Sequence, residues 1–192
     1  MTGEKLNTHR WNEAMDDERI FTCIVKTPLG AMQAAAKDNS LLGLWFMGQK
    51  YFPQNAETWI DKPDCPVFTS LKSWLKDYFA GKNPKIQIPL SLRGTDFQQA
   101  VWKLLLKIPY GRTTAYGTIT ERLKAGGVKA SAQAVGGAVG HNPISILVPC
   151  HRVLGANGSL TGYAGGLEKK QALLELEGAI GPLPGVPRQP DL

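Results

Sequence analysis

The segment SILVPCHRVLG, residues 145–155, sets a cysteine, a histidine and an arginine side by side in a chain that has only three cysteines and three histidines among 192 residues. A thiolate is a strong nucleophile, and cationic neighbours draw a thiol toward that form; His151 and Arg152 are such neighbours of Cys150. An imidazole can also take the thiol's proton. Read as extended backbone, successive side chains point to opposite sides. Cys150 and His151 are then not expected to touch, and a proton passes between them through an intermediary such as a water. Pro149 holds Val148 extended and fixes the entry into the segment. A third group that orients the imidazole is expected among the acids downstream, Glu168, Glu175 and Glu177. The plainer reading of Cys150 is a small buried hydrophobe.

Spacing and composition narrow the chemistry. No CxxC or HxxxH pair occurs, so no metal is expected; Cys23, Cys65 and His9 are the remaining set that could hold zinc. The cysteines are odd in number and far apart, which does not suggest a disulfide framework and fits reduced thiols in the cytoplasm. No apolar run reaches membrane-spanning length, and the polar start MTGEKLNTHRWNEAMDDER is not that of a signal peptide. The net charge of +6 is uneven: residues 93–192 carry 11 basic and 6 acidic groups. Seven of those basic groups, Arg112 and Lys129 among them, lie between Arg93 and Lys129 against two acids. Such a patch attracts a polyanion, nucleic acid above all, or is simply a solvated surface.

The elements that must position these residues fall into two halves. RIFTCIVKTPLG, AMQAAAKDNS and LLGLWFMG, separated by Pro-Leu-Gly and Asp-Asn-Ser turns, read as a β-meander. Phe68, Leu71, Trp74, Leu75, Tyr78 and Phe79 recur at helical spacing up to Gly81 and are expected in the core. After a connector, TDFQQAVWKLLLKI begins at a capping Thr95 or Asp96 and repeats apolar residues at Phe97, Val101, Leu104, Leu105 and Ile108. AYGTITERLKAGG and KASAQAVGGAVGHNP form two short helices across a glycine turn, a helix-turn-helix pattern. The second of these is almost bare of side chains, although each internal glycine costs about 1 kcal/mol against alanine. Close helix packing explains that, and so does close approach to a DNA groove. GLEKKQALLELEG is a last amphipathic helix. The expected fold is α+β: a small antiparallel sheet with a helix over residues 1–92, a mostly helical domain with a helix-turn-helix over 93–180, and a loose Pro/Gly-rich tail over 181–192.

ILVPCHRVLGANGSLTGYAGG…LLELEG, together with FQQAVWKLLLKIPYG and SAQAVGGAVGHNP, resembles the methylated-DNA–protein-cysteine methyltransferases, the O6-alkylguanine-DNA alkyltransferases, over roughly Asp96 to Gly178. The resemblance implies that Cys150 takes an alkyl group from guanine and keeps it, since water does not hydrolyse a thioether. It implies His151 as a base acting through a water, Glu177 as the group that orients it, Tyr116 as proton donor toward guanine N3, and Asn142 as the link to the active-site segment. Val153 is expected to offer its carbonyl to the guanine amino group. Tyr163 and the Ala164 N–H are expected at the base, with Val139 and Ser145 lining the pocket. The bare helix, with Ala134 and Gly137, is expected in the minor groove of double-stranded DNA, with the damaged base flipped out.

Gln133 stands where the family places an intercalating arginine. Glutamine can fill the vacated stack but brings no charge. No cofactor, no membrane and no obligate protein partner are implied. Two other readings remain at this level: a helix-turn-helix or lesion-binding protein without transfer activity, and a cysteine hydrolase using Cys150, His151 and a glutamate.

Overall fold

A computed structural model of the protein describes residues 19–181. His9, weighed above as a zinc ligand, the polar N-terminal segment and the tail from residue 182 lie outside the described residues.

Three strands, β1 (Phe21–Thr27), β2 (Gly30–Lys37) and β3 (Ser40–Phe46), form the meander. Asp38 and Asn39 turn the second hairpin with φ of 48° and 58°, the left-handed region that a two-residue hairpin turn needs and that these side chains tolerate. The sheet is not wholly antiparallel, which corrects the expected arrangement. A fourth strand, β4 (Ile60–Asp61), joins β1 in parallel, giving the order β3-β2-β1-β4. Two exposed residues are too short to carry an alternating pattern, so the sequence offers no sign of it.

Helix α1 (Pro66–Phe79) begins with proline at its first position, where the missing N–H costs nothing. It buries Val67, Phe68, Leu71, Leu75 and Tyr78 against the sheet. The connector then runs along the free edge of β3: Leu41 N–H donates to Pro89 and Ser91 N–H to Leu41. Farther along the same strand, Leu44 N–H donates to Pro143 and Ser145 N–H to Leu44. The edge of β3 therefore fixes the segment that leads into Cys150.

In the second half, α2 (Asp96–Leu105) starts at Thr95, whose hydroxyl accepts from Gln98 N–H while Gln98 Oε1 accepts from Thr95 N–H. Trp102, buried in α2, donates its indole N–H to Ala138 at 2.8 Å. That bond ties α2 to the helix-turn-helix formed by α3 (Tyr116–Ala125) and α4 (Ala132–Gly140). A short parallel pair, β5 (Thr114–Ala115) with β6 (Val153–Leu154), and α5 (Leu167–Leu176) complete the described chain. One hydrophobic core runs through both halves, with Phe46 and Phe68 in the same cluster as Trp102, Ile146 and Leu173.

Candidate active site

Backbone geometry brings Cys150 into place. Ile146 sits at φ 72°, and Leu147 N–H donates to Ser145, which closes a γ-turn on a β-branched residue. A bulky residue holds that conformation only when its surroundings impose it; here the edge of β3 on one side and the buried Ile144–Val148 run on the other do so.

The backbone at Cys150–Arg152 is a 3₁₀ turn closed by Arg152 N–H to Pro149, not the extended segment that the sequence suggested. The preceding proline sets up the turn. The two side chains diverge all the same. Cys150 Sγ accepts from Asn142 Nδ2 at 3.0 Å. His151 Nε2 lies 2.8 Å from Glu177 Oε1.

Of the three acids downstream, only Glu177 reaches the histidine. Glu168 is exposed, and Glu175 accepts from Gln171. Glu177 caps the end of α5 and is buried with five hydrogen bonds. Oε1 accepts from His151, from Tyr78 at 2.6 Å and from Arg152 Nη2 at 2.9 Å. Oε2 accepts from Arg152 Nε at 2.8 Å and from Gly111 N–H at 3.2 Å. Gly111 must be glycine: its φ is 70°, and a Cβ there would stand 2.9 Å from the Glu177 carbonyl oxygen. Burial works against the Glu177 charge, but the bonds from His151, Arg152 and Tyr78 overcome it and hold the carboxyl down at about 2.

An ionised Glu177 fixes the histidine tautomer, because Oε1 can only accept. Nε2 therefore carries the hydrogen and Nδ1 the lone pair. Burial keeps the ring neutral, lowering its pKa against the pull of Glu177, with Arg152 and Lys170 adding to the lowering. Nδ1 is buried without a hydrogen-bond partner. Burial pushes the Cys150 thiol up; Asn142, Lys170 and the backbone N–H groups of Cys150 and His151 oppose this. This corrects the expectation that Arg152 favours the thiolate, since its guanidinium is committed to Glu177 and to the Ile108 carbonyl at 2.7 Å.

Of the other expected residues, Tyr116 and Tyr163 feel the charge of the Cys150 thiolate. Tyr116, first in α3, donates to Gly162 O at 3.2 Å, and burial followed by the Cys150 charge raises its pKa. The Tyr163 hydroxyl is sealed from solvent. Burial, then the Cys150 charge, push its pKa well up, with Ser145 pulling the other way, and no hydrogen bond of good geometry forms. The Ala164 carbonyl accepts Lys50 N–H at 3.0 Å, which pins the loop to the first half of the chain. The Val153 carbonyl accepts from Lys170 Nζ, which also bonds Thr161; a carbonyl retains a second lone pair for another donor. Val139 is buried on the inner side of α4.

The outer side of α4 is open. Ala132, Gln133, Ala134 and Gly137 are exposed, and a Cβ at Gly136 or Gly137 would meet nothing within 4 Å. Packing within the chain therefore does not require those two glycines. Arg112 and Lys129 are exposed in the turns before α3 and α4.

Sequence reasoning missed Tyr78, Arg152 as the Glu177 clamp, and Lys170. Lys170 is fully buried and held down at about 8 by burial, with Cys150 pulling the other way. Its signal was present: it precedes Leu173 and Leu174 by three and four residues, on the face that α5 buries. Among the described residues no cluster of three or more histidine, cysteine or acidic groups could hold a metal.

Two family profiles match the chain. Residues 20–92 match the profile of the 6-O-methylguanine DNA methyltransferase ribonuclease-like domain, and residues 96–179 that of the DNA-binding domain. A methylated-DNA–protein-cysteine methyltransferase of Mycobacterium bovis is 48% identical over 158 residues, covering 82% of this chain and 92% of that protein. One of Methanosarcina acetivorans is 41% identical over 160 residues, covering 83% of this chain and 99% of that protein. The crystal structure of Mycobacterium tuberculosis OGT in complex with DNA is similar with a TM-score of 0.73 at 44% identity, covering 84% of this chain and 93% of that one.

Proposed function

The chain belongs to the methylated-DNA–protein-cysteine methyltransferase family, and we propose from that premise how its own residues carry the family's reaction. It is a DNA repair protein that transfers an alkyl group from O6-alkylguanine in DNA irreversibly to one of its own cysteines, with DNA as its partner. Cys150 is the acceptor. Its sulfur attacks the alkyl carbon, a carbon–sulfur bond forms, and the carbon–oxygen bond breaks with its electron pair passing to the guanine. The thiol proton leaves through a water to His151 Nδ1, Tyr116 supplies a proton toward the departing base, and release of the proton from His151 through solvent restores the Tyr116 phenol. The net reaction moves one alkyl group to sulfur and one proton to guanine, so no cofactor is consumed.

The observation that carries this reading is the unpartnered Nδ1 of a neutral His151, whose other nitrogen is tied to an ionised Glu177. A base must be uncharged and have a free lone pair at the moment of transfer, and His151 has both. Asn142 orients the thiol. Val153, Tyr163, Ala164 and Val139 shape the pocket for the base.

We further propose that α4 lies in the minor groove, where its open, side-chain-poor face with Ala134 and Gly137 lets the backbone approach. Gln133 fills the stack left by a flipped base, and Arg112 and Lys129 hold phosphates. Residues 1–92 and 93–180 are proposed as the two units of the chain. The buried free thiols of Cys23, Cys65 and Cys150 support action in a reducing compartment, the cytoplasm.

Incubation with O6-methylguanine duplex, followed by the intact mass of the protein, tests the reaction. The expected result is a gain of one methyl in place of one hydrogen. Binding without mass gain overturns transfer, and repeated turnover with an unmodified protein points to hydrolysis.

A further inference from the structure

One of the five bonds to Glu177 comes from the other half of the chain. Tyr78, on α1, donates to Oε1 across 99 residues of sequence. Its ring is fixed by a stack on Trp74, with centroids 5.2 Å apart, and by edge contacts with Phe79 and Tyr110. Burial, then the Glu177 charge, hold the phenol protonated, so it is a permanent donor. We propose, resting on the transfer function above, that Tyr78 is a positioning residue of the reaction: its hydroxyl absorbs part of the charge on Glu177 Oε1 and so keeps His151 uncharged and able to take the Cys150 proton.

The arrangement of donors gives this a sign. Oε1 is shared by Tyr78, His151 and Arg152, so each draws on the same charge. Oε2 is held independently by Arg152 Nε and Gly111 N–H. The carboxylate therefore stays in place without the phenol, but more of its charge then faces the imidazole and favours imidazolium. An imidazolium accepts no proton. Other groups face His151 as well. Arg152, in the same turn, and Lys170, from α5, oppose its charging, as burial does; Glu177 favours it. Tyr110, from the turn after α2, packs edge-on against Tyr78 and donates to the Leu176 carbonyl. Packing alone would account for a buried aromatic ring at this position of α1. It does not account for the hydroxyl.

The test uses the full chain as wild type, as Tyr78→Phe, and with 3-fluorotyrosine at position 78, a stronger donor that keeps the ring. Single-turnover transfer from O6-methylguanine duplex is followed against pH. In Tyr78→Phe the midpoint of the acid limb rises by about one pH unit, so transfer on that limb slows about tenfold, while the plateau at higher pH stays close to wild type. Fluorotyrosine moves the midpoint down, and this variant decides the matter if Tyr78→Phe does not fold. Trp74→Phe, which keeps an aromatic face against the Tyr78 ring and leaves the hydroxyl untouched, leaves the midpoint in place. An acid limb unmoved by both Tyr78 changes, or a loss of rate equal at every pH, overturns the inference and leaves Tyr78 a packing residue. A wild type that transfers nothing overturns the proposed function and the inference with it.

Discussion

The two nitrogens of His151 face opposite kinds of environment. Behind Nε2 every polar group is matched: Glu177 receives five donors from α1, the turn after α2, and the 3₁₀ turn at Cys150–Arg152. In front of Nδ1, matching stops. That atom and the Tyr163 hydroxyl are buried without partners, and Tyr116 holds Gly162 by a bond of 3.2 Å. Buried polar groups are almost always satisfied, so the rear reads as a frame, and the front leaves Nδ1 with its lone pair unengaged. The two sides should respond differently to mutation.

Breaking the rear has the largest effect. Glu177→Gln leaves Arg152 buried without its counter-charge, which typically costs about 3–5 kcal/mol, and transfer slows as His151 loses its orientation. Thermal or urea unfolding measures the first and single-turnover kinetics the second. The same carboxylate sets the response to acid. Because its folded pKa lies near 2, below the ordinary 4.5, its contribution is present above pH 4.5 and is lost as pH falls toward 2. His151, neutral in the fold and lowered from 6.5, also favours unfolding as pH drops below its ordinary value. Stability should therefore fall on acidification, and the part lost between pH 4.5 and 2 should be missing in Glu177→Gln. A wild type and variant with the same acid profile would contradict the frame.

Removing the ring itself is the sharper cut, since it takes away the front and only one of the five donors of the rear. His151→Ala should slow transfer by roughly a hundred- to ten-thousand-fold, the usual range for a general base, while DNA binding persists. Gel-shift and single-turnover assays on the same preparation separate the two; unchanged transfer in a folded protein removes the histidine from the chemistry.

How much of this could be read from the chain depends on the distance over which each contact acts. The meander, the helix from Val67 to Tyr78, the Thr95 cap and the helix pair after Tyr116 all announce themselves within a few turns, because periodicity and capping are local. Cys150, His151 and Asn142 are close in sequence and carry the family pattern. The backbone at Cys150–Arg152 was misread because Pro149 initiates a turn that alternation rules ignore. Tyr78 was recognised as core but not as a donor, since its partner lies 99 residues away. The Glu177 clamp of Arg152 was hidden for the same reason, and β4 is too short for any pattern. The sequence alone does not say whether the glycines of α4 serve packing or an outside surface; the empty surroundings of Gly136 and Gly137 favour the surface.

The smallest expected effect lies farthest from the frame, at exposed Gln133 on α4. Gln133→Arg should add one phosphate contact, steepen the salt dependence of binding by about one, and speed duplex repair a few-fold more than single-strand repair, since an unpaired base costs least to extrude. Gln133→Ala should slow duplex repair. An unchanged ratio of duplex to single-strand rates in both variants shows that Gln133 takes no part in flipping.

All of this rests on one sulfur atom. Peptide mapping after reaction with limiting O6-methylguanine duplex locates the methyl group directly. The account predicts it on Cys150 alone, at no more than one per molecule, with none on the buried Cys23 or Cys65 and none at all in Cys150→Ser. A methyl group on Cys23 or Cys65, or more demethylated bases than protein molecules, would contradict it.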